Sequence, residues 1–562
     1  MENSSYTGAD LFVDILEEYG VTHVFGNPGT TELPVIQAIA ESNIEYVLGL
    51  HEDIAVGMAS GYASTLRYYG DEDTIPVGVV NLHVLPGLAH GLGNLYGAQM
   101  AGVPLVVTAG NHSTDYRHHE PILSGDLVNL AQQFTKWSAE VLDVSAFPTM
   151  LRRAFRIALT PPTGPVFLSL PLDVTLAETD EWPERLGAIP ELGLGDYQQI
   201  EHAADLLIDA DNPVFIIGDQ VARSGEGAVE TAVRLAEVSG ARVYGEYYTG
   251  EIGFPTEHDL WASFIPIDEA LTKAVLDTDT LVFIGCSTNT TATKYEGNLI
   301  ERDTVCIHIS NDVWEVGKNA LTDATVLGNI ECSLIEIAAI VDDNLSQEER
   351  SSRVERSKAT VREIRSSMIA RTENNNEHNN RPSKADLVDT LQAIVSDPYI
   401  VDESVTSKYV LLNRWSLDHK QYIGNKSGGL GYGLPATIGA AIAARETDAP
   451  ITVLGFIGDG SYLYYPHAIY TAAHKDINFT VVIPNNQSYQ ILKEGTAAML
   501  GGNVSDYSFV GMDFQPSISF TDNAESYSVK GYRIETTDEL EQRLKQAIND
   551  DEPSVVDILV QD

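Results

Sequence analysis

The sequence predicts an α/β protein of three doubly wound domains, each with a parallel sheet covered by helices on both faces. Short apolar runs alternate with amphipathic helical patterns in the first, middle and last parts of the chain. The apolar runs are nearly continuous, as is typical of parallel strands buried on both faces. The length of 562 residues exceeds what a single hydrophobic core supports, so several domains are expected.

The first predicted domain covers residues 1–185. It opens with the helical pattern ADLFVDILEEYG, which ends at Gly20. Two further helical patterns, TELPVIQAIAES and EDIAVGMASGYAS, separate apolar runs. The predicted strands are VTHVFG, IEYVLGL, PVGVVNL, PLVVTAG and GPVFLSLP.

The second and third predicted domains cover residues 195–342 and 384–562. Predicted strands of the second are PVFIIG, ARVYGE, DTLVFIG and TVCIHIS, and those of the third are ITVLGFI, FTVVIP and PSVVDILV. Residues 343–383 are predicted to be a linker. Its first part is charged and open to a helical interpretation, whereas the Asn-rich part RTENNNEHNNRPS is expected to be exposed.

The charge balance is strongly acidic, with 81 Asp and Glu against 34 Lys and Arg and a net charge of −47. Self-repulsion on this scale loosens a fold in dilute salt. Concentrated salt screens it, because the Debye length falls to about 3 Å at 1 M. The scattered acids therefore predict a cytoplasmic protein of a high-salt organism, and the lack of a basic stripe argues against nucleic-acid binding.

Cysteine use and hydropathy point to the same compartment. Cys286, Cys306 and Cys332 have no CxxC spacing, which predicts reduced thiols without disulfides or a zinc site. The N-terminal residues lack a basic and apolar signal pattern. Residues 74–114 contain no Asp, Glu, Lys or Arg. Prolines, histidines and glycines interrupt the apolar residues of this stretch, so it does not form a membrane-spanning segment. This stretch is predicted to form a buried core, a subunit interface or an active-site wall, and no membrane association is expected.

Polar residues follow two successive strands of the third domain. Gly458, Asp459, Gly460 and Ser461 come after ITVLGFI, and Asn486 follows INFTVVIP. The carboxyl ends of parallel strands meet at one edge of a sheet, where ligands bind. A carboxylate, an amide oxygen and a backbone carbonyl suit Mg²⁺. Gly460 and a following helix N-terminus favour close approach of a phosphate.

This GDG…NN spacing resembles the diphosphate- and metal-binding motif of thiamine-diphosphate enzymes. VFGNPGTTELP, VNLHVLPG, PLVVTAG and GGLGYGLPATIG further resemble benzoylformate decarboxylase and its thiamine-dependent 2-oxoacid decarboxylase relatives. The resemblance spans essentially the whole chain and is loosest in the middle. It implies pyrimidine-binding, central and diphosphate-binding domains, and thiamine diphosphate and Mg²⁺ (with Ca²⁺ as a substitute) as cofactors. FAD is not expected, because the glycines of FIIGDQVARSGEG do not form the pattern GxGxxG. The resemblance also implies a homo-oligomer, as a dimer or a dimer of dimers, with active sites between subunits.

The resemblance assigns residues to the cofactor. The metal ligands would be Asp459, Asn486 and the backbone oxygen of Ser488. Gly428 would accept a hydrogen bond from the 4′-amino group, and Leu430 would wedge beneath the cofactor. The full predicted cofactor set is Gly428, Leu430, Thr406, Gly458, Asp459, Gly460, Ser461, Asn486, Ser488 and Tyr489.

The resemblance also implies a catalytic set of Glu52, His83 and Thr30. Glu52 would bond the aminopyrimidine and so help remove the C2 proton of the thiazolium, and His83 would move protons near neutral pH. The predicted substrate pocket is Thr30, His83, Ile491 and Leu492. One departure is that Ala292 stands at the register of a second family histidine. The candidate substitutes for that histidine are His90, His112, His118 and His119.

The predicted function is non-oxidative decarboxylation of a 2-oxoacid to an aldehyde and CO₂. Two alternatives remain open at this stage. One is a carboligase resembling acetolactate synthase, which joins two carbonyl substrates. The other is a non-catalytic cofactor-binding subunit, against which the presence of Glu52, Asp459 and Asn486 together argues. The sequence identifies neither the particular 2-oxoacid nor the number of subunits.

Overall fold

The computed structural model describes residues 6–288, 294–295, 297–373, 380–550 and 552–561. Three six-stranded sheets form the framework, and every pairing between neighbouring strands within them is parallel. The predicted fold class is therefore confirmed. Nearly all central strands are buried along their whole length, which explains why their sequences read as continuous apolar runs.

The first sheet has the order β2-β1-β3-β4-β6-β5. Its strands are β1 (His23–Gly26), β2 (Glu45–Leu48), β3 (Gly78–Leu82), β4 (Leu105–Asn111), β5 (Trp137–Glu140) and β6 (Val166–Pro171). Its helices are α1 (Gly8–Glu18), α2 (Leu33–Ala40), α3 (Glu52–Tyr69), α4 (Val84–His90), α5 (Leu92–Met100), α6 (Leu127–Ala131), α7 (Phe147–Leu159) and α8 (Leu172–Leu176). The charge-free residues 74–114 supply β3 and β4, whose side chains are buried.

The second sheet has the order β12-β11-β10-β7-β8-β9. Its strands are β7 (Pro213–Ile217), β8 (Arg242–Gly245), β9 (Trp261–Phe264), β10 (Thr280–Ile284), β11 (Val305–Ser310) and β12 (Ala324–Leu327). Its helices are α9 (Tyr197–Asp209), α10 (Asp219–Arg223), α11 (Glu226–Ser239), α12 (Glu269–Leu276), α13 (Ile330–Asn344) and α14 (Gln347–Thr372).

The third sheet has the order β14-β13-β15-β16-β18-β17, so its topology repeats that of the first. Its strands are β13 (Pro398–Glu403), β14 (Tyr422–Gly424), β15 (Thr452–Ile457), β16 (Thr480–Asn485), β17 (Lys530–Ile534) and β18 (Ser554–Leu559). Its helices are α15 (Lys384–Ile394), α16 (Lys408–Arg414), α17 (Gly433–Glu446), α18 (Asp459–Tyr462), α19 (Ile469–Lys475), α20 (Gln490–Leu500), α21 (Phe520–Ser526) and α22 (Thr537–Asn549).

The predicted linker, residues 343–383, is largely helical. Helix α14 covers most of it and packs on α11, β9 and α16. Only Ser357 and Val361 of this helix are buried, and the Arg353 guanidinium donates to the Ile208 carbonyl at 2.7 Å. The Asn-rich part includes residues 374–379, which lie outside the described residues. The domain limits that this linker would set stay a prediction.

Helices α3 and α17 pack closely and join the first domain to the third within one chain. Their backbones approach so closely that a methyl group at Gly61 would overlap the Ala436 carbonyl, and one at Gly439 would overlap that of Met58. Because α3 begins at Glu52 and α17 follows the GGLG segment, this packing brings two predicted site segments together. Among the described residues, no helix is long and apolar enough to cross a membrane.

Candidate active site between the first and third domains

Asp459 lies where β15 ends and α18 begins, beside the turn that follows β16. The Gly460 amide donates to Asp459 Oδ1 at 2.8 Å, and the Ser488 amide donates to Asn486 Oδ1 at 3.1 Å. Backbone amides of residues 486–488 also face the Asp459 carboxylate. A side chain at Gly460 would overlap the Tyr489 ring, so glycine is required there. The structure thus brings together the two halves of the predicted metal motif.

Two buried oxygens in this turn have no hydrogen-bond partner within the described part of the chain. They are Asp459 Oδ2 and Ser461 Oγ. Burial raises the pKa of Asp459 to about 6, and hydrogen bonds from the backbone amides act in the opposite direction. Unpaired buried polar atoms are rare because they are costly. A carboxylate oxygen and a hydroxyl that lack partners in one turn fit a divalent cation and a diphosphate, and the oxygen donor set suits Mg²⁺.

The segment from Gly428 to Gly431 is shaped by glycine conformations and by a buried glutamate. Gly428 and Gly431 have φ angles of +75° and +105°, which favour glycine. Glu403 accepts hydrogen bonds from the amides of Gly431 at 2.8 Å and Gly433 at 2.6 Å. Burial raises the pKa of Glu403 to about 7. Sequence reasoning missed Glu403, although an acid inside the apolar strand YIVDE was a usable signal.

Thr406 lies in the turn that follows β13, and this turn is next to the start of the diphosphate motif. The Gly458 amide donates to the Glu403 carbonyl at 3.1 Å, which fixes that turn beside Gly458. Thr406 and Leu430 are both half-buried. The assignment of Thr406, Leu430 and Gly428 to the cofactor stays a prediction.

Glu52 is the first residue of α3, and its carboxylate lies close to His90. The distance from Glu52 Oε2 to His90 Nδ1 is 3.1 Å. Single ligand atoms of His51, Glu52 and His90 lie within 4.8 Å of one another. Of the four histidines suggested as substitutes, His90 is thus beside Glu52, whereas His112 Nε2 bonds the Ile122 carbonyl at 2.9 Å. Ala292 lies outside the described residues.

Asp53, next to Glu52, ties the start of α3 to the third domain. Its carboxylate accepts hydrogen bonds from the Asn94 amide at 2.7 Å and the Tyr465 hydroxyl at 2.8 Å. Asn94 Nδ2 in turn donates to the Gly431 carbonyl at 3.4 Å. Burial raises the pKa of Asp53 to about 6. These contacts place Glu52 at the same domain interface as the Gly428–Gly431 segment.

His83 is held by a buried glutamate that the sequence reasoning missed. Glu32 is 1% exposed, and its Oε2 lies 2.7 Å from His83 Nδ1. The same carboxylate accepts the Gly29 amide at 3.1 Å and the Thr31 hydroxyl at 2.7 Å. A methyl group at Gly29 would overlap the imidazole. The only feature of the sequence that could have indicated Glu32 was the presence of an acid within the Gly- and Thr-rich turn GTTE.

The remaining predicted pocket residues are exposed. Thr30 lies at the tip of the turn before Glu32. Ile491 and Leu492, which are 38% and 50% exposed, lie in the first turns of α20, directly after the turn that carries Ser488 and Tyr489. Their contact with a substrate stays a prediction.

Comparisons with known proteins identify the family of this chain. Three family models match: the thiamine pyrophosphate enzyme N-terminal TPP binding domain at residues 6–135, the central domain at residues 200–337, and the C-terminal TPP binding domain at residues 407–558. Benzoylformate decarboxylase from Pseudomonas aeruginosa is 28% identical over 554 residues, with 98% of both chains covered. Acetolactate synthase from Bacillus subtilis is 26% identical over 577 residues, covering 98% of this chain and 93% of that protein.

Solved structures share the whole fold. The thiamine diphosphate-dependent 4-hydroxybenzoylformate decarboxylase of Rhodococcus jostii RHA1 superposes with a TM-score of 0.84 at 27% identity, covering 99% of both chains. Benzoylformate decarboxylase from Polynucleobacter necessarius shares the fold, with a TM-score of 0.85 at 24% identity over 99% of both chains. With three matching domain models in order along the chain, the chain belongs to the thiamine pyrophosphate enzymes and resembles their benzoylformate decarboxylases.

Proposed function

We propose that this protein decarboxylates a 2-oxoacid to an aldehyde and CO₂ with thiamine diphosphate and Mg²⁺. The observation that carries the proposal is the pair of buried oxygens on Asp459 and Ser461, which have no hydrogen-bond partner among the described residues. Similarity to benzoylformate decarboxylase along the whole chain supports decarboxylation of an aryl or apolar 2-oxoacid. The exposed apolar side chains of Ile491 and Leu492 are consistent with such a substrate.

Each group of residues has a separate task. Asp459, Asn486 and the Ser488 carbonyl would hold Mg²⁺, and Ser461 would donate its hydroxyl to the diphosphate. When bound, thiamine diphosphate supplies the nucleophilic carbon and the electron sink for decarboxylation. Glu52 would hold a proton at the pyrimidine ring. His83, oriented by Glu32, would exchange a proton with the substrate.

The test is a panel of 2-oxoacids, aliphatic and aromatic, assayed for CO₂ and for aldehyde. Thiamine diphosphate, Mg²⁺ and high KCl are present, and omission of each cofactor is the control. We expect CO₂ and aldehyde in equal amounts from at least one aryl 2-oxoacid. An absence of CO₂ from every 2-oxoacid would contradict the proposal.

A carboligase is the second candidate because acetolactate synthases match the chain over nearly the same length at similar identity. The same panel separates the two activities. A carboligase releases CO₂ but converts the remaining carbon skeleton into a hydroxyketone with a second carbonyl compound. Recovery of hydroxyketone instead of aldehyde, at physiological substrate concentrations, would favour the carboligase.

Replacing Glu32 with glutamine tests the task given to His83. Glutamine keeps the shape but removes the carboxylate that lies 2.7 Å from the His83 ring. Hydrogen bonds to charged groups are worth about 1.5–3 kcal/mol, so we expect kcat to fall by about 10- to 100-fold with KM little changed. Glu18→Gln, at an exposed site on α1, is the matched control. Wild-type kcat in Glu32→Gln would contradict the positioning role.

We also propose that the acidic surface adapts this protein to concentrated salt in a cytoplasm. The net charge of −47 predicts that screening stabilises the fold, so the Tm should rise between about 0.1 M and 2 M KCl. Thermal unfolding followed by circular dichroism at each concentration measures this. An unchanged or lower Tm at 2 M KCl would contradict the adaptation.

A further inference from the structure

Tyr248 lies in the loop that follows β8, at the carboxyl end of the central sheet, and has an unusual backbone conformation. Its φ angle is +60°, in the left-handed region that bulky side chains rarely adopt. Such conformations are energetically costly and cluster at functional sites. They persist only where the surrounding structure imposes them. The question is what holds Tyr248 in this conformation and what its side chain faces.

Contacts on both sides of Tyr248 bind this loop to the third domain. Before it, Glu246 pairs with Lys426 Nζ at 2.8 Å, and Lys426 also pairs with Asp219 at 2.9 Å. After it, Lys408 Nζ donates to the Thr249 carbonyl at 2.8 Å. The Gly424 amide also donates to the Gly250 carbonyl at 2.8 Å. The segments that flank Tyr248 are therefore anchored to the third domain, at α16 and at the end of β14 and the loop that leads to Gly428.

The Tyr248 hydroxyl faces Gly428 from the central domain. A methyl group built on Gly428 would lie 3.4 Å from the Tyr248 hydroxyl oxygen. The ring packs under Lys408 Nζ, which is 4.9 Å from the ring centroid. Within the described part of the chain, the hydroxyl makes no hydrogen bond. A hydroxyl with no hydrogen-bond partner among these residues is thus held over the predicted cofactor-facing glycine.

The surroundings of Tyr248 keep its hydroxyl protonated. Burial raises the pKa of Tyr248 above its usual value, and the charges of Asp402 and Glu403 act in the same direction. A phenol in this state donates a hydrogen bond near neutral pH. It cannot serve as a base there, so its available role is that of a donor to an oxygen atom.

We propose that Tyr248 is a catalytic residue whose hydroxyl donates a hydrogen bond to the 2-oxo oxygen of the substrate. This inference rests on the proposed decarboxylase function. The 2-oxo oxygen gains negative charge as its carbon is attacked, and a preorganised donor stabilises that charge more than it stabilises the neutral ground state. Tyr248 would supply a polar group from the central domain, the domain in which the sequence has Ala292 at the register of a histidine.

Tyr248→Phe tests this role because phenylalanine keeps the ring under Lys408 and removes only the hydroxyl. The full-length protein is loaded with thiamine diphosphate and Mg²⁺ and assayed on the best substrate of the 2-oxoacid panel. Losing one donor of this kind lowers kcat by about 10²–10³-fold, so we expect kcat to fall by about 100-fold with KM changed by less than about threefold. Titration calorimetry of thiamine diphosphate with Mg²⁺ should give the wild-type affinity, and the Tm should be unchanged.

Tyr197→Phe is the matched control, since Tyr197 is an exposed tyrosine of the same domain. It should keep wild-type kcat and KM. A wild-type kcat in Tyr248→Phe, or a raised KM with kcat unchanged, would overturn the catalytic role while leaving the proposed function intact. A lower cofactor affinity or a lower Tm in Tyr248→Phe would show that the hydroxyl has a structural role and would also overturn the catalytic role. A wild-type protein that decarboxylates no 2-oxoacid would overturn both proposals.

Discussion

Replacing Glu52 with glutamine is expected to reduce decarboxylation by about 10²–10⁴-fold while the cofactor still binds. Glutamine has nearly the same shape and volume, so the start of α3 should be preserved. What it removes is the carboxylate, which is the only part able to exchange a proton with the pyrimidine ring. The neighbouring Asp53 contacts to Asn94 and Tyr465 do not involve Glu52 and should survive the change.

The Glu52 variant needs two readouts. Steady-state CO₂ release measures turnover, and calorimetric titration with thiamine diphosphate and Mg²⁺ measures binding. Glu72→Gln, at an exposed site just beyond the other end of α3, serves as the control and should match wild type in both. Unaltered turnover in Glu52→Gln would remove Glu52 from the mechanism. A loss of cofactor binding would instead give it a binding role.

Replacing Asp459 with asparagine is expected to weaken Mg²⁺-dependent binding of thiamine diphosphate by more than about 100-fold. Even residues that only orient a metal ligand are worth about 10- to 100-fold in affinity, and here a charged ligand itself is neutralised. Asparagine keeps an oxygen that can accept the Gly460 amide, which reduces the risk of misfolding. The measurement is a calorimetric titration of cofactor at fixed Mg²⁺. Asp538→Asn, exposed on α22, is the control, and wild-type affinity in Asp459→Asn would refute the metal assignment.

The same substitution should change how the stability of the metal-free protein depends on pH. The pKa of Asp459 is raised from 3.8 to about 6 in the fold, so the folded state binds the proton more tightly than the unfolded state. The wild-type protein should therefore lose stability as pH rises from about 4 to about 6, by an amount on the order of 3 kcal/mol. Asp459→Asn should lack that loss. Thermal unfolding in EDTA across this pH range measures the difference, and parallel curves for the two proteins would contradict it.

The buried strands were predictable because they are buried on both faces. Runs such as PVFIIG and DTLVFIG have no polar alternation, and the structure has β7 and β10 there. The strands absent from the prediction are β5, β12 and β17, which are partly exposed, β13, which ends in two acids, and β9 and β14, which are buried but only four and three residues long. Helix α14 was treated as a linker for a related reason: only two of its residues are buried, so its sequence has almost no apolar periodicity.

The candidate site also contains some contacts that the sequence predicts and others that it does not. The GDG…NN spacing predicted that Asp459 and Asn486 meet, because both follow adjacent parallel strands of one sheet. The same rule brings His83 and the turn that carries Glu32 to one sheet edge, because they follow the paired parallel strands β3 and β1, but it does not predict that their side chains contact each other. No such rule connects Tyr248 to Gly428. The first pair is separated by 51 residues, and the second joins two domains. Both contacts depend on side-chain packing that leaves no periodic trace in the chain.

The sequence by itself determined the three-domain α/β class, the charge, and the residues at the carboxyl ends of β15 and β16, because apolar pattern and strand order act locally. The tertiary structure alone decided which side chains complete the site. It left Asp459 Oδ2 and Ser461 Oγ buried with no partner in the described part of the chain, set Glu32 against His83, and placed the Tyr248 hydroxyl over Gly428. These are properties of burial and of distance between segments remote in sequence, which only the packed chain defines.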